Sequence, residues 1–412
     1  MLAHREPINN LFLRSEMIEE NFTPNGEDVF FSRSENSYRI RGERGRFTLG
    51  KWMLTLGVSG GEIYDFSVDC YGEICEEDVY VLLTQYTAEG KMPIREHAHF
   101  AVREGECLRF ADKVELSEST VRLCIELWLK GDGLEAEFSN LILTPAEAFA
   151  ERRVRVAPVQ MKTVGLTVEE QLSNVASVLE RAGEASADIV ILGEAIYGKG
   201  LGFSLEKRAE NECGEMASLV REMAKKHRMY VVYNTVEKEC DSFYNTSYLF
   251  GRDGEVVGKY RKTHLPVAEL EEGLSPGTGY PVFDLDFGRV GILICYDQFF
   301  PRTAEALAMA GGELICVSSI GDMSHCAFAR AMENGVYLAV SGANNENPHG
   351  FGATRVLDPL GRILADTDEE LALALCEIDL SRRVRRFWMS TGPAFSDVHD
   401  DYRFEKNSRS FI

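Results

Sequence analysis

Near residue 150 the spacing of apolar residues changes, and this change restricts the chain to two architectures in series. From about Phe30 to Leu143 the apolar residues fall in short runs, FTLGKWMLTLGV, IYDFSVDCYG, DVYVLLTQY, HAHFAV, VRLCIELWL and EAEFSNLIL, separated by Gly, Asp, Glu and Ser. Evenly spaced short strands with turn signals between them predict a β-sandwich. After TPAEAFAERR, which Pro145 and its charges mark as a linker, strands and helices alternate. RVRVAPVQ reads as a strand, and Thr167 with Glu170 forms a capping box opening a helix whose Val168, Leu172, Val175, Leu179 and Ala182 share a face. Strands DIVILGE, YVVYNTV, SYLFG, VVGKYRK, PVFDL, RVGILIC, ELICVSS and YLAVSGAN follow, SYLFG and VVGKYRK joined as a hairpin across RDGE. EMASLVREMAKKH, TAEALAMAGG and CAFARAMENG are the helices among them. Alternation of this kind predicts an α/β domain whose sheet is covered by its helices. The expected division is an accessory all-β domain over 1–150 and an α/β domain with a C-terminal tail over 151–412.

Charge narrows the partners. The 412 residues carry a net charge of −22, and residues 1–150 hold 15 Lys and Arg against 27 Asp and Glu. Nucleic acid and anionic membranes need clustered basic surface, so both are excluded as expected partners. The amino terminus lacks a continuous apolar stretch of signal-peptide type, and no run reaches the length of a membrane span. Ten cysteines without a C-x-x-C pair suggest neither a zinc site nor a disulfide framework, and several lie within apolar strands. A cytoplasmic location is expected. Gly57-Val58-Ser59-Gly60-Gly61 fits the nucleophile-elbow pattern, but a strand rather than a helix follows it, so it reads as a hairpin turn.

Three titratable residues each end or follow an apolar strand of the second domain: Glu194 after DIVILG, Lys262 after VVGKYR and Cys295 after VGILI. Strand carboxyl ends converge on one edge of an α/β sheet, where ligands bind, so a carboxylate, an ammonium and a thiol can meet there. Asp297 and Pro301 look like helix starts. A cysteine between a strand end and a helix start is expected to ionise more readily than a free thiol.

These residues resemble the nitrilase, or carbon-nitrogen hydrolase, superfamily, whose signature is Glu, Lys and Cys in this order. LGEAIY is similar to its glutamate motif, GKYRKTHLP to its lysine motif and GILICYDQFFP to its cysteine motif, with ARAMENGVYLAVSGAN and DPLGRILA also alike. The resemblance spans roughly Arg153 to Leu380. It implies a four-layer αββα sandwich, with Cys295 as nucleophile, Glu194 as general acid and base, and Lys262 with the Tyr296 backbone N–H as oxyanion donors. It implies no metal or other cofactor. A second glutamate near the substrate would be Glu269 or Glu271, from VAELEEGLSPG. Gly193 stands where the family usually has Pro, and Arg302 where it usually has Glu. The first 150 residues resemble jelly-roll modules of the carbohydrate-binding type by pattern and length alone.

Tyr197, Gln298, Ile320 and Asn344 lie just beyond strand ends or the nucleophile and are pocket candidates, while His264 and His325 are either rival bases or loop supports. Phe387, Trp388, Tyr402 and Phe411 in the tail would anchor a homo-oligomer, as such tails do in the family. The function expected is hydrolysis of a small linear amide or N-carbamoyl compound with release of ammonia. Nitrile hydrolysis and amide transfer use the same three residues. A protein that only binds, through the sandwich, is the alternative of another class.

Overall fold

A computed structural model describes residues 18–22 and 29–381, apart from 46, 76–77, 92–93, 99, 149, 163, 321–325 and 343–353. The chain divides into two compact units that meet in sequence at Ala150 and Glu151.

The described residues of the first unit are all β: β1 (Ile18–Phe22), β2 (Val29–Arg33), β3 (Ser37–Gly42), β4 (Phe47–Gly57), β5 (Ile63–Tyr71), β6 (Val79–Thr87), β7 (Ile94–His97), β8 (Phe100–Glu104), β9 (Cys107–Glu115), β10 (Thr120–Asp132) and β11 (Glu135–Pro145). They form one sheet in the order β1-β4-β10-β6-β7 and another in the order β2-β3-β11-β5-β9-β8. Every pairing is antiparallel. The chain switches sheet from β4 to β5 to β6, and again from β9 to β10 to β11, as in a jelly roll. Alternate residues of facing strands, Leu54, Leu56, Phe66, Val68, Leu123, Ile125, Leu127 and Phe138 among them, close a single core. Gly57 to Gly61 links β4 to β5 across the two sheets, so it is a crossover and not the hairpin turn expected from sequence. Cys107–Glu115 is a strand that the sequence reading passed over, because Arg109, Asp112 and Lys113 interrupt its apolar pattern.

The second unit contains β12 (Arg153–Gln160), α1 (Val168–Glu184), β13 (Ile189–Ile191), α2 (Leu205–Arg208), α3 (Glu215–His227), β14 (Tyr230–Glu239), β15 (Ser242–Phe250), β16 (Val256–Arg261), α4 (Val267–Glu272), β17 (Val282–Asp284) and β18 (Arg289–Ile294). A 3₁₀ turn (Cys295–Phe299), α5 (Pro301–Met309), β19 (Leu314–Ser318), α6 (Cys326–Asn334), β20 (Tyr337–Val340), β21 (Thr354–Leu357), β22 (Ile363–Thr367), β23 (Ala372–Leu373) and β24 (Cys376–Asp379) follow. One sheet runs β16-β15-β14-β13-β12-β23, with β24 also pairing β12; the other runs β17-β18-β19-β20-β21-β22. The capping box forms as expected, Glu170 N–H donating to the Thr167 hydroxyl at 3.2 Å and Thr167 N–H to the Glu170 carboxylate at 2.7 Å.

Side-chain alternation builds the layers. Ile189, Ile191, Val232, Leu249, Val290, Ile292 and Ile294 face a core between the sheets. Val190, Leu192, Val231 and Tyr233 face the opposite way, onto Val175, Val178 and Leu179 of α1 and Val220 of α3. On the second sheet α5 lies against β18, close enough that a Cβ at Gly291 would meet Leu307 at 2.8 Å. The result is the four-layer αββα sandwich. β12, β13 and β14 run parallel, as do β18, β19 and β20. Because β15 reverses against β14 and β16 against β15, β16 also runs with β13. The carboxyl ends of β13, β16 and β18 therefore lie toward a common edge.

Candidate active site

The nucleophile candidate sits on strained backbone. β18 ends at Ile294, and Cys295 opens the 3₁₀ turn with φ of 40°, in the left-handed region that costs a non-glycine residue about 1 kcal/mol or more. The turn is held from three directions. Ile294 N–H donates to Asp297 Oδ2 at 3.0 Å, Gln298 Nε2 donates to the Cys295 carbonyl at 3.1 Å, and Arg330 Nε donates to the Gln298 carbonyl at 2.9 Å. Pro301 then starts α5 at its first turn, where a missing N–H costs nothing. Cys295 is 6% exposed and belongs to the core between the sheets.

Charge is concentrated beside it. Lys262 follows β16, is 1% exposed, and donates from Nζ to Glu194 Oε1 and to Glu269 Oε1, both at 2.7 Å. Asn245 of β15 donates to the same Glu194 oxygen at 3.0 Å and to Glu269 Oε1 at 3.4 Å. Asn234 of β14 positions Asn245 by donating to its Oδ1 at 2.9 Å, and accepts from Ala195 N–H at 2.6 Å. Glu194 N–H donates to the Ser319 carbonyl at 3.2 Å, linking the two sheets at this edge. The Cys295 thiol lies beside Glu194 and Ser319, near enough for both to act on its ionisation. Glu269 Oε2 is buried and has no hydrogen-bond partner among the described residues.

The electrostatics follow from this packing. Burial pushes the Glu194 carboxyl up, but the Lys262 ammonium, the Lys199 charge and hydrogen bonds from Lys262 and Cys295 outweigh it and hold it at about 2. Burial opposes the Lys262 charge, yet Glu194, Cys295 and Glu269 keep it firmly protonated. Burial raises Glu269 despite Lys262. Burial and then the Glu194 charge push the Cys295 thiol up to about 12. The expectation of a readily ionised cysteine is thereby overturned: a helix start supplies positive potential, but full enclosure beside a carboxylate costs the thiolate more.

Of the other sequence candidates, Glu269 joins the cluster and Glu271 does not. Glu271 is exposed on α4, and residues two apart on a helix point to different sides. Tyr197 is half-buried, its ring packed against the core between the first sheet and its helices, and its hydroxyl donates to Glu215 Oε2 at 3.3 Å. Tyr296 is half-buried, its ring against Phe299 and Phe300, with centroids 5.4 Å apart in each pair. Gln298 braces Cys295 as above, and Ile320 packs at the margin of the intersheet core. His264 supports a loop: its N–H donates to Asp297 at 3.1 Å and its ring stacks on Phe300 at 3.9 Å between centroids. His325, Asn344 and the tail aromatics lie outside the described residues. Sequence reading missed Asn234, Asn245 and Ser319. Asparagine is depleted in strands, so Asn234 and Asn245 inside apolar strands were a usable signal.

Comparison with known proteins agrees with the geometry. Residues 155–386, more than half of the chain, match the carbon-nitrogen hydrolase family model. The chain belongs to the carbon-nitrogen hydrolase family. A nitrilase of Pyrococcus abyssi is 31% identical over 265 residues, covering 61% of this chain and 99% of that protein. An omega-amidase of Homo sapiens is 28% identical, covering 55% of this chain and 89% of that one, and a 2-oxoglutaramate amidase of Bacillus subtilis is 29% identical, covering 52% and 86%. The crystal structure of a carbon-nitrogen hydrolase from Helicobacter pylori G27 matches with a TM-score of 0.50 at 21% identity, over 63% of this chain and 97% of that one. The C. elegans NitFhit structure does so with a TM-score of 0.50 at 24% identity, over 64% of this chain and 66% of that one. As a carbon-nitrogen hydrolase the chain has an extra β domain, since the family match begins only after residue 154.

Proposed function

We propose that this carbon-nitrogen hydrolase is a thiol-dependent amidase that cleaves a small linear amide or N-carbamoyl compound to a carboxylic or carbamic acid and ammonia. What carries the reading is the enclosed cluster at the sheet edge, in which Lys262 joins Glu194 to Glu269 by hydrogen bonds and the Cys295 thiol lies beside Glu194. Amide is preferred to nitrile because omega-amidases and a 2-oxoglutaramate amidase stand among the similar proteins. The resemblance to a nitrilase keeps nitriles in the test. Assembly as a homo-oligomer and a cytoplasmic location belong to the same reading.

In this mechanism the resting site holds the proton on Cys295 and the charge on Glu194. Sulfur attacks the amide carbon as its proton passes to Glu194, and Lys262 with the Tyr296 N–H meets the oxygen that gains charge. Once Lys262 turns toward that oxygen, Glu194 loses part of the interaction that holds its pKa low and becomes a better base. The tetrahedral species collapses as Glu194 returns the proton to nitrogen, ammonia leaves, and a thioester remains. Water then attacks the thioester, giving its proton to Glu194, and the acid departs as Cys295 recovers its proton.

The test is ammonia release by the full-length protein over amides, N-carbamoyl compounds and nitriles. Activity on amides that is abolished in Cys295→Ala, with an acyl adduct on Cys295 by mass spectrometry, is expected. Ammonia release that survives Cys295→Ala on every substrate overturns the mechanism. Formation of substituted amides when amines are added would assign transfer in place of hydrolysis.

A further inference from the structure

Lys199 lies five residues beyond Glu194 on the loop leaving β13, and a buried amide of α1 helps fix its placement. Gln171 stands on the inward face of α1 among Val175, Val178 and Leu179, and is only 1% exposed. A buried amide in an apolar face is costly unless its polar ends are satisfied. This one serves the loop at both ends: Gly198 N–H donates to Gln171 Oε1 at 2.8 Å, and Gln171 Nε2 donates to the Lys199 carbonyl at 3.3 Å. Gly198 itself has φ of 68°, and a Cβ there would meet Phe203 Cδ2 at 3.0 Å and Arg208 Cγ at 3.2 Å.

The side chain so positioned is half-buried and points back to the site. Its Nζ approaches the Glu194 carbonyl at 3.5 Å, too long for more than a weak hydrogen bond, and its charge is felt by both Glu194 and Glu269. No carboxylate lies within ion-pair distance of Lys199 among the described residues, whereas Lys262 has two and the nearby Arg208 is paired with Glu272 at 2.9 Å. With all four groups ionised, Glu194, Glu269, Lys262 and Lys199 sum to zero. Without Lys199 the site would carry one net negative charge and repel an anion.

Among the described residues two groups of one site therefore keep bonding capacity: the Lys199 ammonium and the buried Glu269 Oε2. We infer that Lys199 is a specificity-determining residue that receives the carboxylate of an anionic substrate, the monoamide of a short dicarboxylic acid, whose amide N–H is directed to Glu269 Oε2. The inference rests on the amidase reading and deepens it.

The experiment compares succinamate and glutaramate with neutral butyramide in the wild type, Lys199→Met and Lys199→Arg. Wild type prefers the monoamide acids, and salt raises KM for them more than for butyramide. In Lys199→Met the ratio of kcat/KM for succinamate over butyramide falls roughly 10- to 100-fold, the worth of a hydrogen bond to a charged group, mostly through KM, and Lys199→Arg restores much of it. An unchanged ratio, with both substrates losing alike and a displaced pH profile, would assign Lys199 to tuning Glu194 and overturn the inference. So would a wild type that favours butyramide with no salt effect, which needs no variant to fold. Amidase activity that survives Cys295→Ala would instead sink the reading beneath it while leaving the charge preference measurable.

Discussion

Two clusters of buried charge adjoin along β16 and the residue after it, and they are built in opposite ways. At Lys259 and Arg261, two cations converge on one buried carboxylate, with the exposed Glu239 outside it 2.8 Å from Arg261: Glu237 is 4% exposed, accepts from Lys259 Nζ at 2.5 Å and from Arg261 Nη2 at 2.8 Å, and also accepts from the Thr246 hydroxyl at 2.8 Å. At Lys262, one cation serves two carboxylates, a strained thiol adjoins, and one carboxylate oxygen has no partner among the described residues. The Glu237 cluster is complete in itself. The Lys262 cluster leaves one buried carboxylate oxygen unsatisfied among the described residues. Burial of charge alone does not mark a candidate reactive site, since both clusters have it; unfilled hydrogen-bonding capacity beside the proposed nucleophile distinguishes them.

The largest expected effect breaks this comparison on rate. Cys295→Ala should lower kcat by at least about 10⁴-fold while leaving the urea midpoint nearly unmoved, because it removes a reacting atom from a packed turn. Measurable turnover within tenfold of wild type would refute the assignment. Next, Lys262→Met should cost about 3–5 kcal/mol in urea unfolding as well as activity, because it leaves two carboxylates buried together without their cation. A variant of wild-type stability would show that Glu194 and Glu269 do not depend on Lys262.

A smaller loss should come from the other cluster, with no loss of chemistry. Glu237→Gln should cost on the order of 2 kcal/mol at pH 7 and leave kcat within about twofold. Burial raises the Glu237 pKa, but hydrogen bonds from Arg261, Lys259 and Thr246 lower it further, to about 2. Its folded pKa is thus below the unfolded value, so its stabilisation is present above about pH 4.5 and fades as pH falls toward 2. The variant should therefore lose less stability than wild type across that window, and equal acid sensitivity would remove Glu237 from the explanation. The smallest effect concerns the resting thiol. Iodoacetamide should modify Cys295 slowly at pH 7, with a rate still climbing through pH 9, as a thiol held near 12 requires. A rate that levels off near pH 7 would mean a resting thiolate.

What was legible in the sequence was what strand ends dictate. Glu194, Lys262 and Cys295 each terminate an apolar run, and parallel strands bring such termini together. Direction along a strand can be read from alternation, but direction off its end cannot. The side that Tyr197 takes was therefore not legible, past Ala195 with φ of 50°, which redirects the chain after Glu194. VAELEE offers Glu269 and Glu271 without saying which faces the cluster, and only the helix that it forms separates them. The sheet order of the first unit was beyond pattern reading, because a turn between β4 and β5 has the same composition whether it folds back or crosses over.

Asp297 is fully buried and accepts from both halves of the catalytic unit: Ile294 N–H on the second sheet, and on the first sheet's side the Tyr260 hydroxyl at 2.8 Å, the Thr263 hydroxyl at 3.2 Å and His264 N–H at 3.1 Å. It is a rivet between the two loops that carry Cys295 and Lys262. Neither loop can drift without the other, so heating should silence this enzyme in one step, and an attempt to transplant either loop into another scaffold should fail unless the rivet travels with both.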